Sequence, residues 1–145
     1  MKTIFFFFFL GIMASVAGQE SSIYGTKDGA IKGYDPVAYF TEGKPVKGNP
    51  DLTLDWMGAT WSFASPENKN LFEEDPGKYA PQYGGYCAYG VSKGGLYKID
   101  PEAWTIVQGK LYLNYSLKIQ SDWSVDIPGF IEKADAKWPE LSKKP

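Results

Sequence analysis

Two segments in which apolar and polar residues alternate constrain the fold of this chain most strongly. Residues 52–63 alternate on both sides of a turn at Gly58-Ala59, and residues 104–115 do so around Gln108-Gly109. A period of two places every second side chain on one face of a strand. Because each pair of alternating runs is separated by a short glycine turn, the pattern predicts two β-hairpins, each with one buried face.

Helical patterns lie between and after these hairpins. Ser65-Pro66 combines an N-cap residue with proline at the first helical position, which predicts a helix to about Glu74. Apolar residues then recur at helical spacing from Ile119 to Trp138, and Pro139 is expected to stop this helical stripe. Separate hairpins and helices favour an α+β fold. We expect a small single domain with two β-hairpins, several helices and a C-terminal helical segment.

The first 18 residues have the layout of a secretory signal peptide. Lys2 precedes the apolar run from Ile4 to Met13, and small residues follow at 15–18. About 20 apolar residues are needed to span a bilayer, so this run indicates a cleaved leader. The predicted organisation is a signal peptide at 1–18, a flexible N-terminal segment at 19–30 and a domain at 31–141. We therefore expect a secreted or periplasmic protein without stable membrane insertion.

The composition excludes several classes of function. The chain contains no His, and all 15 of its basic residues are Lys, against 17 acidic residues. Catalytic triads that depend on His are therefore excluded, and the commonest zinc, copper and haem ligand is missing. A slightly acidic chain without Arg is also a poor nucleic-acid binder. These absences predict a protein that is not an enzyme and does not bind nucleic acid.

One short pattern occurs three times: Asp-Pro, two residues, then an aromatic residue. It begins at Asp35, Asp75 and Asp100. Asp followed by Pro is typical of the first turn of a helix, because the carboxylate accepts from free amides and proline presets φ. The pattern predicts three capped helical turns. The alternative interpretation gathers the three carboxylates into a cation site.

Three stretches, residues 32–48, 61–88 and 100–139, resemble the YHS domain family and in particular its small secreted branch. The first two read KGYDPVAYFTEGKPVKG and WSFASPENKNLFEEDPGKYAPQYGGYCA. YHS domains are related to the small metal-binding modules of heavy-metal transport ATPases and other metal-handling proteins. The resemblance therefore implies a metal-related role.

The metal-binding relatives carry a pattern of the form Tyr-Phe-Cys-Ser-x-x-Cys, followed by Phe and by Asn-Pro-x-x-Tyr. The framework positions of this pattern are kept here by Phe63, Ser65, Phe72, Pro76 and Tyr79. Both thiolate positions are replaced, by Ala64 and Asn68. The resemblance thus implies the packing skeleton of the family without its two thiolate ligands at these positions.

Cys87 is the remaining candidate for a soft-metal ligand. It is the only Cys of the chain, and Met57 is the only Met that remains after removal of the leader. A thiolate and a thioether together suit copper(I) or another soft metal ion. The alternative is that Cys87 is a small buried residue, as lone cysteines often are.

A cluster of tyrosines and glycines is a second candidate site. Tyr83, Tyr86 and Tyr89 flank Gly84 and Gly85, and such a cluster can line a ligand cleft or pack in the core. Two functions remain open at this stage. One is an exported, non-enzymatic YHS-type binding module that handles a metal, most plausibly copper, through Cys87. The other is a protein-interaction or small-ligand module that keeps the YHS skeleton without a metal.

Overall fold

The computed structural model describes residues 22–144, and both predicted hairpins are present in it. The strands are β1 Gly25–Thr26, β2 Gly29–Ala30, β3 Asn49–Trp56, β4 Ala59–Phe63, β5 Asp100–Val107 and β6 Lys110–Asn114. They form three antiparallel sheets of two strands each, pairing β1 with β2, β3 with β4 and β5 with β6. The second and third of these sheets are the predicted hairpins.

Each of the two longer hairpins closes through a tight two-residue turn. The central residues are Met57 and Gly58 in the first turn, with φ of 54° and 73°, and Gln108 and Gly109 in the second, with φ of 50° and 75°. Two successive residues with positive φ are typical of the type I′ turn, whose twist matches that of the flanking strands. The first turn therefore begins one residue earlier than the sequence predicts.

The helices of the described residues are α1 Ala38–Thr41, α2 Pro66–Glu74, α3 Pro76–Tyr79, α4 Ala88–Ser92, α5 Leu117–Ser124 and α6 Ile127–Leu141. Short 3₁₀ turns occupy Ile31–Gly33 and Gln82–Gly85. The helix α2 begins as predicted, because Ser65 Oγ accepts from the backbone N of Asn68 at 3.1 Å. Hairpins and separate helices in one domain confirm the α+β prediction.

The C-terminal segment is helical, as predicted, but it consists of two helices. Ser116 caps α5 by accepting from Ile119 N at 3.1 Å, and Asp126 caps α6 by accepting from Gly129 N at 3.1 Å. Pro139 does not stop α6, which continues to Leu141. Proline is tolerated in this last turn because its missing N–H removes only one hydrogen bond before the helix ends. Within residues 22–144, no helix is both long enough and apolar enough to cross a membrane.

The described part of the N-terminal segment is anchored to the domain on either side of an exposed turn at residues 25–28. Ile23 is buried, Tyr24 N donates to Gly84 O at 2.8 Å, and Ile31 N donates to Tyr24 O at 3.0 Å. Residues 22–30, predicted to belong to a flexible segment, are thus held by backbone hydrogen bonds and by the pairing of β1 with β2. The signal peptide predicted at 1–18 lies outside the described residues.

The three Asp-Pro sites have different structures. Asp35 accepts from the backbone N of Val37 and of Ala38 at the start of α1, so the capping prediction is confirmed there. At Asp75 the predicted helical turn is present, since Asp75 is at the N-cap position of α3, but the prediction of a capping bond is wrong, because its exposed side chain makes no capping hydrogen bond. It is also wrong at Asp100, which begins β5 and accepts from Glu102 N at 2.9 Å in a local turn.

Candidate functional site

The YHS framework region is organised around a buried carboxylate. Besides its two bonds at the start of α1, Asp35 accepts through Oδ2 from Ala64 N and from Asn68 Nδ2, both at 2.8 Å. Asp35 has no exposed surface. Four N–H groups therefore satisfy one buried carboxylate and join α1 to the end of β4 and the first turn of α2.

This network occupies the positions where the metal-binding relatives carry thiolates. Ala64 has no side-chain ligand atom, and the amide nitrogen of Asn68 is committed to Asp35. No group of three or more His, Cys, Asp and Glu among residues 22–144 is arranged to hold a metal ion. The residues at these positions do not fit a soft metal, because Ala64 offers no ligand atom and the Asn68 amide is hydrogen-bonded to Asp35.

Cys87 lies elsewhere, where α4 meets the end of β6. Its Sγ accepts from Gly90 N at 3.4 Å and from Tyr115 N at 3.2 Å, and its thiol donates to Asn114 Oδ1 at 3.5 Å. The same Oδ1 accepts from Tyr89 N at 3.0 Å. The thiol is thus a buried structural junction between the helix and the strand.

A cavity of about 210 Å³ opens over this thiol, and we call it the Cys87 cavity. Its lining side chains are those of Cys87, Tyr89, Lys93, Tyr97, Tyr115 and Ile119. Cys87 is only 1% exposed, whereas Tyr97 is 53% and Tyr115 42% exposed, so the thiol lies at the base and these two tyrosines stand at the mouth. Aromatic and aliphatic walls with few polar groups are typical of small-molecule sites.

Two glycines seat the ring of Tyr97 at this mouth. A Cβ atom placed on Gly90 or on Gly95 would collide with that ring. The carbonyl of Tyr97 also accepts from Cys87 N at 3.1 Å, which holds the segment after α4 against the thiol. The glycines therefore determine where one wall of the cavity stands.

Two lysines, which we call the rim lysines, hold positive charge against rings that line the cavity, and one of them, Lys93, lines it itself. Lys93 Nζ lies 5.3 Å from the ring centroid of Tyr89 and 5.5 Å from that of Phe130, and Lys98 Nζ lies 5.4 Å from that of Tyr115. These are cation–π distances. The ion pairs within residues 22–144 join Lys118 to Asp122 and Lys143 to Glu140, so neither rim lysine has a carboxylate partner in that range.

Met57 is not brought into the Cys87 cavity. It lies in the turn between β3 and β4, is 54% exposed, and is not among the described residues that line the cavity. The structure therefore places the two candidate soft ligands in different parts of the fold. Copper binding by this pair stays a prediction.

The tyrosines and glycines of the second candidate site are also separated. Tyr83 is 5% exposed, and its hydroxyl donates to Asp135 Oδ1 at 2.8 Å. Burial and this bond raise the pKa of Tyr83 well above its usual value. Gly84 and Gly85 allow close packing, since a Cβ there would meet Ser22 O and the side chain of Ile31. These three positions serve the packing of the domain.

The other two tyrosines line two different concave surfaces. Tyr89 lines the Cys87 cavity, whereas Tyr86 borders a wide cleft of about 830 Å³ between the β1–β2 and β3–β4 hairpins. That cleft is larger, but glycine backbone and short polar side chains make up most of its lining. Because apolar walls around a few convergent polar groups favour ligand binding, the smaller Cys87 cavity is the better candidate site.

Sequence reasoning missed most of the cavity. Tyr97, Tyr115 and Ile119 come from three separate elements or loops, and their shared wall depends on packing between them. The only local signal is the pair of glycines at 94–95, which stands just before Tyr97 in the sequence. Of the residues that the sequence predicted as sites, Cys87 and Tyr89 line this cavity.

The thiol is expected to be a poor nucleophile at neutral pH. Burial raises the pKa of Cys87, and the backbone N–H groups of Gly90, Tyr115 and Tyr89 oppose this only in part. Because the thiolate is the reactive form, iodoacetamide should label the native protein at pH 8 at least about tenfold more slowly than the urea-unfolded chain. Because the pKa of Cys87 is higher in the folded protein than in the unfolded chain, the protonated thiol contributes to the free energy of unfolding. This contribution is complete below the pKa of the unfolded thiol and is lost as pH rises through the pKa of the folded one.

The unfolded chain is a matched control, since Cys87 is the only thiol of the sequence. The labelling rate of the native protein should rise steadily from pH 8 to pH 10. Equal rates for native and unfolded protein at pH 8 would contradict the buried, protonated thiol.

Comparison with known proteins identifies the framework region. Residues 37–83 match the family model of the YHS domain. This range contains α1, the hairpin of β3 and β4, α2 and α3. Comparisons with curated proteins and with solved structures gave no significant match. The matched range includes Ala64 and Asn68, two of the four residues that donate to Asp35. The chain is a YHS domain-containing protein.

Proposed function

We propose that this protein is a non-enzymatic binding module, and that the Cys87 cavity takes a small, largely apolar ligand. The observation that carries this proposal is a cavity of about 210 Å³ whose walls are three tyrosines and an isoleucine. The raised pKa of the Cys87 thiol favours binding over nucleophilic catalysis, because a protonated thiol is a weak nucleophile. The signal-like residues 1–18 support the further proposal that the module acts after export.

The size of the cavity sets the size of the ligand. An engineered protein cavity of about 150 Å³ is large enough to bind benzene. The Cys87 cavity, at about 210 Å³, therefore has room for one benzene ring with a small substituent. Drug-sized ligands occupy pockets of roughly 300–1,000 Å³, so they would extend beyond its mouth.

A soft metal ion such as copper(I) is the second candidate ligand. It is favoured by one observation, that the sulfur of Cys87 lines the cavity. Against it, burial favours the protonated thiol, whereas coordination requires the thiolate. Copper(I) bound under reducing conditions and lost in Cys87→Ser would support the metal role in place of the apolar ligand.

Benzene titrated into ¹⁵N-labelled protein tests the proposed site. We expect the largest amide shifts at Gly90, Tyr97 and Tyr115, whose residues line the cavity. Ile119→Trp should fill the cavity and remove these shifts. Leu117→Trp is the matched control, because Leu117 lies on the same helix, is 60% exposed and should leave the shifts unchanged.

The mapping with the wild-type protein decides the proposal even if Ile119→Trp does not fold. Shifts confined to the Tyr86 cleft, or no shifts at millimolar benzene, would contradict a binding role for the Cys87 cavity.

A further inference from the structure

The positive charges of the rim lysines, Lys93 and Lys98, indicate which charge a ligand of the cavity would carry. Lys93 lines the cavity, and its ammonium group is held over Tyr89 and Phe130. Lys98 is held over Tyr115, a different ring of the same cavity. Both ammonium groups therefore lie beside rings that line the cavity, and Lys93, which lines it itself, is the one that a bound anion would meet first.

Among residues 22–144, neither rim lysine forms an ion pair with a carboxylate. Lys118, on α5, is paired with Asp122 at 2.8 Å. Lys93 and Lys98 have no such partner within residues 22–144. The formal net charge of the whole chain is −2, so a cavity that is lined by Lys93 and has Lys98 over one of its rings departs from the overall charge balance. A negatively charged ligand is favoured there.

The walls determine the rest of the ligand. Tyr97 and Tyr115 expose large parts of their rings at the mouth, and Ile119 adds an aliphatic wall. Flat aromatic ligands pack well against tyrosine rings in offset or edge-on arrangements. An inorganic anion alone would leave these apolar walls in contact with water, so the ligand needs an apolar body as well as a charge.

We propose that the Cys87 cavity binds small aromatic carboxylates, with the ring between Tyr97 and Tyr115 and the carboxylate at Lys93. This inference rests on the proposed function and names the chemical class of the ligand. A benzene ring with one carboxylate matches the available volume of about 210 Å³. The protonated thiol at the base presents no negative charge to the bound anion.

Three probes that share a benzene ring test the charge preference: benzoate, benzyl alcohol and benzylammonium. We expect ¹⁵N chemical-shift titrations to give the lowest Kd for benzoate. It should be about tenfold below that of benzyl alcohol, with benzylammonium the weakest, since two lysines each contribute a partly exposed charge interaction. Raising the salt concentration should weaken benzoate binding and leave benzyl alcohol binding unchanged.

Two lysine variants test the position of the carboxylate. Lys93→Gln should raise the Kd for benzoate about fivefold and leave that for benzyl alcohol unchanged. Lys133→Gln is the matched control, because Lys133 Nζ also lies over Phe130, at 5.7 Å, but Lys133 does not line the cavity. It should leave both constants unchanged.

The outcomes separate this inference from the function on which it rests. Equal binding of benzoate and benzyl alcohol at the cavity amides, unchanged by Lys93→Gln, would overturn the carboxylate preference and leave the apolar-ligand site intact. Failure of all three probes and of benzene to shift these amides would overturn both.

Discussion

Replacement of Asp35 by Ala is expected to lower the free energy of unfolding by about 3–5 kcal/mol. The side chain accepts four hydrogen bonds from Val37 N, Ala38 N, Ala64 N and Asn68 Nδ2, at 2.8–3.2 Å. Each buried donor left without an acceptor costs about 1–3 kcal/mol. Loss of the carboxylate also removes its own desolvation cost, so the expected loss is well below the sum over four donors.

The other Asp-Pro sites provide a matched control. Asp75→Ala removes a similar carboxylate before a proline, but Asp75 is exposed and makes no capping bond. We expect a change within about 0.5 kcal/mol. Asp35→Asn should fall between these two variants, because an amide can accept from only some of the four donors.

Urea unfolding of the three variants, followed by fluorescence of the five tryptophans, measures these differences. Similar losses for Asp35→Ala and Asp75→Ala would show that the buried network contributes no more than an ordinary helix cap. Thermal unfolding offers a second measurement if Asp35→Ala is already partly unfolded without denaturant.

Truncation of Phe72 to Ala is expected to cost about 3–5 kcal/mol. The ring is 1% exposed, and its centroid lies 5.5 Å from that of Trp56, 5.3 Å from Trp61 and 5.2 Å from Phe63. Its removal would leave a cavity among aromatic rings that are held by two strands and a helix. Such rigid surroundings relax little, which places the cost in the upper part of the range for buried truncations.

Leu71→Ala is the control on the same helix. Leu71 is half-buried and packs at the edge of the same cluster, so we expect a loss below about 2 kcal/mol. Urea unfolding compares the two variants, and because Phe is the poorer helix former, helix propensity alone would make Phe72→Ala the less destabilising of the two. A loss below that of Leu71→Ala would contradict Phe72 as the central residue of this core.

The buried carboxylate links the two positions, Ala64 and Asn68, at which the family pattern described above has thiolates. Asn68 lies in the first turn of α2, and its side-chain amide donates to Asp35, which lies before α1. In this chain, the link between these elements is a hydrogen-bond network. The framework residues Phe63 and Phe72 pack beside it in the same core cluster. The domain thus holds this region together with charge-assisted hydrogen bonds and aromatic packing.

The sequence by itself determined the features that depend on neighbouring residues. Alternation and glycine turns predicted both longer hairpins, and Ser65-Pro66 predicted the start of α2. The same local reasoning predicted the helical turn after Asp75 but was wrong about its side-chain cap, and at Asp100 it was wrong about the turn itself, because an Asp-Pro pair favours a helical turn only where the next element allows one. Asp100 instead begins a strand that pairs with β6.

Only the tertiary structure decided what the side chains do across the fold. Asp35 is hydrogen-bonded to Asn68, which lies 33 positions later in the sequence, and Cys87 is hydrogen-bonded to Tyr115, which lies 28 positions later. Met57 and Cys87, a chemically reasonable pair of soft ligands, are placed in a hairpin turn and in the core. The physical reason is that periodicity and capping report on residues within a turn or two of each other, whereas a buried network or a cavity depends on how whole elements pack. That packing brought Lys93, Tyr97 and Tyr115 around the Cys87 thiol.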